Sequence, residues 1–554
     1  MFKSSLSWLK SNEWAIVLLF VLAFIFIRLP GTDSPLHQDE YKWPMIVNPN
    51  WQSENTIPHP PLSQFIYRTA GQIVGYDVNF RFVPLFFGTI NLLLLYYFLR
   101  TFFGKREAIV GSSIWVLSFF SVLASLMVDT DGQIMPFFFL IGLISYYHLR
   151  FKNNKKILWS VLLVLSLLLG FFIKVSFLLA IGAIVFDFLW SKRKNLSKKE
   201  YFIYGGYILS GAVILALLLF VSKFFFPFFN LEQTLTYWEH FIVFDRNWIQ
   251  TVIQCVKALF YTSPFIVLLG FFDVPKVLQK TKVFIFFLIF SFIFYIVLFD
   301  FSIGALDRYL QLLILPLTVI VTVIMTPVIF EKNKRKKEFI LLGSSVALAF
   351  FLLQYIPHFV PPLHPKSEWI GRVLSLRWNF LYPFSGGSGP LGFYISFLFI
   401  GLSWLLSIFV LVLGYIKPQL KNLLIIFIIP LGLIYNIVFT AEYLFGLQNG
   451  SAPKLLTEVT EFIKNNPEIE TVVVYNDNGA QEIKDIGKYE RRLYAVPDFE
   501  STYREFFASY SGHLLYIDIP KISEDSFYWE YFKSCDSIYS KTDGYIKSEV
   551  FDCR

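Results

Sequence analysis

The sequence predicts a polytopic, all-α membrane protein with an α/β domain at its C-terminus, and two observations support this. Hydrophobic residues make up 55% of the 554 residues, charged residues only 16%, and the mean hydropathy is +0.57. Soluble domains are about a quarter charged, so this chain lacks the polar groups to cover a soluble surface. The second observation is a change of composition after Gln448, where charge becomes abundant and apolar runs become short.

A helix needs about 20 mainly apolar residues to cross the hydrocarbon core of a membrane. About thirteen segments meet this criterion. They are 13–29, 82–100, 108–128, 132–149, 157–173, 175–190, 202–225, 252–272, 283–300, 309–330, 338–357, 391–415 and 423–442.

The positions of the charges support this count. The net charge of +8 could indicate nucleic acid as a partner, but Lys and Arg concentrate in short clusters between apolar segments. Such clusters stay on the cytoplasmic side of membrane proteins, so we expect membrane lipids as partners and no nucleic acid. With thirteen spans and a cytoplasmic N-terminus, all the clusters fall inside: 105–106, 152–156, 192–199, 276–282, 332–337 and 417–421.

The extracytoplasmic side then receives the loops 30–81, 226–250 and 358–390 and the whole tail. We therefore expect two domains, a transmembrane domain over 1–447 and an extracytoplasmic α/β domain over 448–554. In the tail, 453–465 reads as a helix, and 471–475 and 513–519 read as buried strands. Cys535 and Cys553 are expected to form a disulfide, because disulfides persist outside the cytoplasm and Cys255 falls in a predicted span.

The first outer loop contains the residue types that chemistry needs. Asp39 and Glu40 are adjacent carboxylates, Lys42 follows two residues later, and His59 precedes two prolines that rigidify the chain. An isolated Asp-Glu pair is more often part of a solvated loop than of a catalytic site. The rigid element at His59 favours a built site.

The order of several motifs resembles the C-type fold of membrane glycosyltransferases, in particular the protein O-mannosyltransferases and the lipid A aminoarabinose transferases. The motifs are Asp39-Glu40-Tyr41-Lys42, His59-Pro60-Pro61-Leu62, Arg81, Asp129-Thr130-Asp131, Gly170 to Lys174, and Asp307-Arg308-Tyr309 before Leu315-Pro316. The resemblance covers 1–330; beyond that only the general plan of further helices and an outer domain is similar. The relatives allied to lipid A transfer usually have Lys where this chain has His59.

The resemblance implies an inverting transfer of a hexosyl or pentosyl group from a polyprenyl-phosphate donor to a lipid, glycan or protein hydroxyl. Asp39 would be the catalytic base, beside Glu40, because a hydroxyl that attacks an anomeric carbon must lose its proton. Cations would stabilise the leaving phosphate. The candidates for binding the donor are Lys42, His59, Asp131, Lys174, His240, Arg246, Arg308 and Tyr309.

Alternatives stay open for several of these residues. Lys174 could reach towards the interface and Arg308 could anchor a helix end, while His240 and Arg246 could belong to an interfacial aromatic belt. Asp131 is favoured over Asp129 as the acidic residue of the family because of its spacing to the following Phe run.

No cofactor is implied with certainty. Hard cations prefer carboxylate oxygens, so Asp39, Glu40 and Asp131 are the residues that would hold a divalent cation, although no spacing demands one. Nucleotide-binding loops are absent from the sequence of the tail. The alternative function is a lipid or polysaccharide transporter or flippase, which the many spans would also fit, but no internal repeat supports it.

Overall fold

The computed structural model describes residues 12–37, 40, 42–47, 59–75, 79–152, 154–193, 197–242, 246–272, 274–299, 309–356, 358–362, 367–384, 391–476, 478–493 and 500–554. The chain forms two compact units. The first consists of Met1–Leu29 and Lys42–Asn333, and the second of Pro30–Tyr41 and Lys334–Arg554.

The described part of the first unit is helical. Sequence signals mark several helix starts: Ser197 and Glu200 form a capping box, and prolines occupy the first turns of the helices that begin at Pro61 and Pro264. The α-helices are Glu13–Arg28, Lys42–Val47, Pro61–Val74, Phe82–Phe102, Lys105–Leu117, Phe119–Leu126, Ile134–Tyr147, Lys156–Ile173, Leu178–Lys192, Lys198–Phe225, Leu231–Phe241, Trp248–Phe260, Pro264–Leu269, Val274–Phe292 and Ile314–Phe330.

Over both units, the described residues contain 11 helices long and apolar enough to cross a membrane, or up to 12 if the bent pair Lys105–Leu117 and Phe119–Leu126 is one span. These 12 segments correspond to 12 of the predicted spans. The remaining prediction, 252–272, needs correction. It is two shorter helices, Trp248–Phe260 and Pro264–Leu269, because Ser263 before Pro264 leaves the helical conformation with ψ of 131°.

The second unit contains membrane helices, a hairpin and a five-stranded sheet. Its α-helices are Lys336–Leu352, Ser367–Leu374, Phe397–Ile416, Lys421–Phe445, Ala452–Asn465, Ala480–Asp485, Glu500–Ser509 and Phe527–Phe532. Its strands are β1 (Leu381–Phe384), β2 (Phe393–Ser396), β3 (Val472–Tyr475), β4 (Tyr489–Leu493), β5 (His513–Ile517), β6 (Asp536–Asp543) and β7 (Ile546–Asp552).

The tail is an α/β domain built on the sheet β4-β3-β5-β7-β6. β3 is parallel to β4 and β5, and β7 is antiparallel to β5 and β6. Because side chains alternate along a strand, Val472 and Val474 enter one core with the helix Ala452–Asn465, while Val473 and Tyr475 enter a second core with the helices after β4. The predicted helix and both predicted strands of the tail are therefore confirmed.

The domain boundary predicted between residues 447 and 448 stays a prediction. The hydrophobic core of the tail includes residues that precede this boundary in sequence. Leu381, Leu391 and Tyr394, from the hairpin β1–β2 and its loop, belong to the same buried cluster as the helix Ala452–Asn465. The Tyr394 hydroxyl also donates to the Asp518 carbonyl at 3.0 Å.

The junction between the last membrane helix and the tail is closely bonded. The Glu442 carboxylate accepts from the backbone N–H groups of Gln448 and Asn449, each at 3.1 Å. Asn449 donates through its side chain to the Tyr394 carbonyl at 3.0 Å and accepts through its carbonyl from the Tyr545 N–H at 2.8 Å. Gly450, with φ of 106°, lies against the Asp543 carbonyl where no side chain would fit.

The predicted disulfide is confirmed. Cys535 and Cys553 are bonded, with a Cα–Cα distance of 4.5 Å and a sequence separation of 18. On the chain-entropy account, closing a loop of this length stabilises the folded domain by about 3 kcal/mol. The bond ties the end of the chain to the start of β6.

Asp518 makes the tail sensitive to pH. Burial raises the pKa of its carboxyl to about 7, although the hydrogen bond from the Lys547 N–H opposes this shift. The ordinary pKa of an aspartate is about 3.9, so between the two values the folded state binds a proton that the unfolded state does not. Stability contributed by this group is therefore present at low pH and lost as pH rises towards about 7.

We expect Asp518→Asn, which stays neutral and keeps an acceptor oxygen for Lys547, to be the more stable variant at pH 8 and to remove part of this pH dependence. Each unit of pKa difference is worth about 1.4 kcal/mol, so the effect should be on the order of a few kcal/mol at most. Hydrogen exchange of the β5 and β7 amides at pH 5 and pH 8, corrected for intrinsic rates, measures it. Asp525→Asn, at an exposed position, is the matched control. Equal pH dependence in the Asp518 variant and the native chain would contradict the assignment.

Candidate functional site

The candidate site residues fall into three groups by what the structure describes. Glu40, Lys42, His59, Asp131, Lys174, Arg246 and Tyr309 are described. His240 lies in the helix Leu231–Phe241, but its side chain is outside the described part. Asp39 and Arg308 are outside the described residues altogether.

In the first unit, the site begins with the turn Asp129-Thr130-Asp131 between the helices Phe119–Leu126 and Ile134–Tyr147. The Asp129 carboxylate accepts from the Thr130 N–H at 2.7 Å. Gly132 makes the turn possible, because a side chain there would lie 2.5 Å from the Ala124 carbonyl oxygen and 2.7 Å from the Gln311 side chain. The turn is thus packed tightly against neighbouring backbone.

Asp131 forms a buried ion pair with Lys174. The Lys174 ammonium lies 2.5 Å from Asp131 Oδ2, and the two side chains are 6% and 0% exposed. Lys174 follows the helix Lys156–Ile173 in an extended conformation, with φ of −157°. The structure thus brings together two of the predicted donor-binding residues, and it is Asp131 rather than Asp129 that pairs with the lysine.

Tyr309 covers this ion pair. The Lys174 ammonium lies 4.6 Å from the centre of the Tyr309 ring, a cation–π distance. The Tyr309 hydroxyl lies 3.2 Å from the Tyr237 hydroxyl, and its ring packs against Tyr295 at 5.6 Å. A carboxylate, an ammonium and a phenol ring therefore form one buried cluster, which we call the Lys174 cluster.

His59 is connected to the same turn through aromatic side chains. Its ring stacks on Trp43 at 6.0 Å, and Trp43 contacts Tyr67 at 4.4 Å. The Tyr67 hydroxyl donates to the Asp129 carbonyl at 3.0 Å. Lys42 is the exposed first residue of the helix that carries Trp43.

Arg246 is engaged as a helix cap. Its guanidinium donates to the carbonyls of Ile296, Leu298 and Phe299 at 3.2, 3.2 and 2.5 Å. These carbonyls end the π-helical turn Ile293–Leu298, whose last carbonyls have no partner within the helix. The described contacts give Arg246 a structural role, and its binding of the donor stays a prediction.

In the second unit, Glu40 shapes its own loop. The Glu40 carboxylate accepts from the His37 N–H at 3.0 Å, and the Glu40 N–H donates to the His37 carbonyl at 3.0 Å. Glu40 is 2% exposed. His37 and Glu40 are thus joined by two hydrogen bonds, and the catalytic role of Glu40 stays a prediction.

No metal centre is visible in the described part of the chain. Within it, no three His, Cys, Asp or Glu side chains form a group that could hold a metal ion. The predicted cation ligands include Asp39, which lies outside that part, so the divalent cation stays untested.

Sequence reasoning missed several residues of the first unit. Trp43, Tyr67 and Tyr237 carry no spacing signal among 13 Trp and 30 Tyr residues. Arg28, at the end of the first membrane helix, is fully buried and donates to the hydroxyls of Ser121 and Ser125 at 3.2 and 2.5 Å. Its position within a predicted span was a readable signal of an important residue, because burying a charged side chain in a membrane costs free energy.

Residues 58–222 match the family described as dolichyl-phosphate-mannose-protein mannosyltransferase. This range includes His59, Asp131 and Lys174. No curated protein matches the chain significantly by sequence.

Solved structures show a similar fold. The structure of ArnT from Cupriavidus metallidurans in the apo state has 13% sequence identity and a TM-score of 0.54, over 98% of each chain. ArnT of the same organism bound to undecaprenyl phosphate has 12% identity and a TM-score of 0.51, over 98% of this chain and 99% of that one.

The chain therefore has the polytopic membrane fold of the solved ArnT structures, and its residues 58–222 resemble a mannosyltransferase family. These two likenesses confirm the resemblance to the C-type membrane glycosyltransferases that was inferred from the motifs.

Proposed function

We propose that the chain is an inverting glycosyltransferase that moves a hexose or pentose from a polyprenyl-phosphate donor to a hydroxyl of a lipid, glycan or protein at the outer face of the membrane. The observation that carries this proposal is the Lys174 cluster, because a buried ammonium beside a carboxylate lies within the range that matches the mannosyltransferase family. The name of that family and the undecaprenyl phosphate bound to ArnT support the donor class.

The ammonium of Lys174 is suited to a phosphate. It has three N–H donors, of which the described contacts direct one to Asp131 and set another side against the Tyr309 ring. A third remains for a phosphate oxygen. As the bond to the sugar breaks, negative charge grows on that phosphate, and one well-placed donor in a dry site lowers the barrier by about 3 kcal/mol. Lys42 and Arg308 are proposed to act on the same charge.

Asp39 is proposed as the base. The acceptor hydroxyl loses its proton as it attacks the anomeric carbon, and a carboxylate within hydrogen-bond reach accepts that proton. A single displacement with the phosphate as leaving group inverts the anomeric centre. Glu40, next to Asp39 in the sequence, is proposed to be the second catalytic carboxylate, and His59, which stacks on Trp43, is proposed to bind substrate through hydrogen bonds.

The purified chain should release polyprenyl phosphate when it is incubated with the right member of a panel of undecaprenyl- and dolichyl-phosphate hexoses and pentoses. Mass spectrometry of the lipid and of added acceptors reads both products. Movement of the intact lipid across a vesicle membrane, with no release of phosphate from any donor, would instead support a flippase.

We propose that the N-terminus is cytoplasmic and that the tail is outside. Reporter fusions should then place Lys194 and Lys336 inside, and Trp51 and Asn478 outside, because the basic clusters stay in the cytoplasm. A cytoplasmic reading at Asn478 would contradict this orientation.

A second pair of fusions tests whether the helices Trp248–Phe260 and Pro264–Leu269 cross the membrane together as one broken span. We expect Glu232 outside and Lys282 inside, because only a crossing between them keeps the basic clusters on one side. Equal readings at both positions would show that this segment lies on one face of the membrane.

A further inference from the structure

The segment Pro30–Tyr41 belongs to the same compact unit as the tail domain, although more than 400 residues separate them in sequence. A hydrogen bond joins them: the Leu36 N–H donates to Glu482 Oε1 at 3.1 Å. Leu36 and His37 are 7% and 1% exposed, so their backbone groups are shielded from water. Leaving a buried N–H without an acceptor costs free energy, so this bond should contribute to holding the segment against the tail domain.

Two consecutive N–H groups thus each donate a hydrogen bond to a carboxylate. Glu482 accepts from Leu36, and Glu40 accepts from His37. The Glu40 bond joins two residues of the same loop. The Glu482 bond comes from outside this loop, from a helix of the tail domain.

Glu482 is held firmly by its own surroundings. It lies in the short helix Ala480–Asp485, whose Ile483 is fully buried in the core with β3 and β5. The side chain of Asn478, just before this helix, donates to the carbonyls of Ile517 and Ile519 at 3.4 and 2.9 Å. The carboxylate is therefore presented by a packed element of the sheet domain.

We propose that Glu482 is a positioning residue: the tail domain sets the place of the turn that carries Asp39 in the sequence, through the bond from Glu482 to Leu36. This inference rests on the proposed function for its effect on the reaction, but not for the contact itself. On this proposal the tail domain affects the reaction through the position of the loop, and Glu482 itself does not contact substrate.

The test compares Glu482→Ala, which removes the acceptor, with Glu482→Gln, which keeps an acceptor oxygen but not the charge. Glu505→Ala, at an exposed position in another tail helix, is the matched control. In the full-length protein in detergent, the Leu36 amide should exchange at least tenfold faster in Glu482→Ala. A tenfold change corresponds to about 1.4 kcal/mol, which lies within the cost of leaving a buried N–H without its acceptor. Glu482→Gln and Glu505→Ala should exchange like the native chain.

With an active donor, Glu482→Ala should lower kcat about tenfold or more and leave KM for the donor unchanged, while Glu482→Gln should restore kcat. Leu36→Pro, which removes the donor N–H, should lower kcat too, and adding Glu482→Ala to it should change nothing further. This second variant keeps the test valid if Glu482→Ala fails to fold.

Unchanged exchange at Leu36 in Glu482→Ala would overturn the contact. Faster exchange with unchanged kcat, or equal loss in Glu482→Gln and Glu482→Ala, would overturn the positioning role. If the native chain releases phosphate from no donor, the proposed function fails, and the exchange rates still decide whether Glu482 anchors the turn.

Discussion

Replacing Asp39 with asparagine should lower the rate of sugar transfer by about 10²- to 10⁴-fold, the contribution of a positioned general base. Asparagine has nearly the same shape, so donor binding and folding should be largely unchanged while proton acceptance is lost. The measurement is release of polyprenyl phosphate under single-turnover conditions, together with donor affinity.

Asp33→Asn is the matched control, because it removes a second carboxylate from the same loop at a position with no assigned role. It should retain native turnover. Full activity of the Asp39 variant with a defined donor would contradict the role of Asp39 as base.

Replacing Lys174 with methionine should abolish transfer and also destabilise the first unit. The change leaves the Asp131 carboxylate buried without its cation, and breaking a buried ion pair in this way costs about 3–5 kcal/mol. Thermal unfolding in detergent and the phosphate-release assay measure the two effects separately.

The double variant Asp131→Asn with Lys174→Met separates structure from function. It removes both charges, so stability should return towards that of the native chain, while transfer should stay abolished because the ammonium is absent. Lys223→Met is the control, since the ammonium of Lys223 also lies over an aromatic ring, Phe220 at 4.1 Å, but at an exposed position. An active double variant would show that the ion pair only stabilises the fold.

Most of the membrane fold was predictable because hydropathy acts over long segments and tolerates local detail. The break at Ser263 was not predicted from hydropathy, since a window average is insensitive to one proline, although Ser263-Pro264 was a readable signal. In the tail, β3 and β5 are fully buried and were visible as apolar runs. The strand β4, with Glu490, Arg491 and Arg492, is only partly buried and has no such pattern.

The candidate site was predictable in its charges but not in its aromatic supports. Asp131 and Lys174 are 43 residues apart, and only the order of motifs pointed to both. Tyr237 meets Tyr309 through the packing of two distant segments, which no local spacing encodes. The capping role of Arg246 depends on backbone carbonyls, and these are the same in every sequence.

The bonded junction at Glu442, Asn449 and Gly450 has a mechanical consequence. Both carboxylate oxygens of Glu442 accept hydrogen bonds, and Gly450 lies against the Asp543 carbonyl. We therefore expect the segment after the last membrane helix to be rigid and not to act as a hinge. A tilt or rotation of Lys421–Phe445 would be passed directly to the sheet, and through Glu482 to Leu36. Changes in membrane thickness, which alter helix tilt, would thereby reach the segment that contains Leu36 as small displacements.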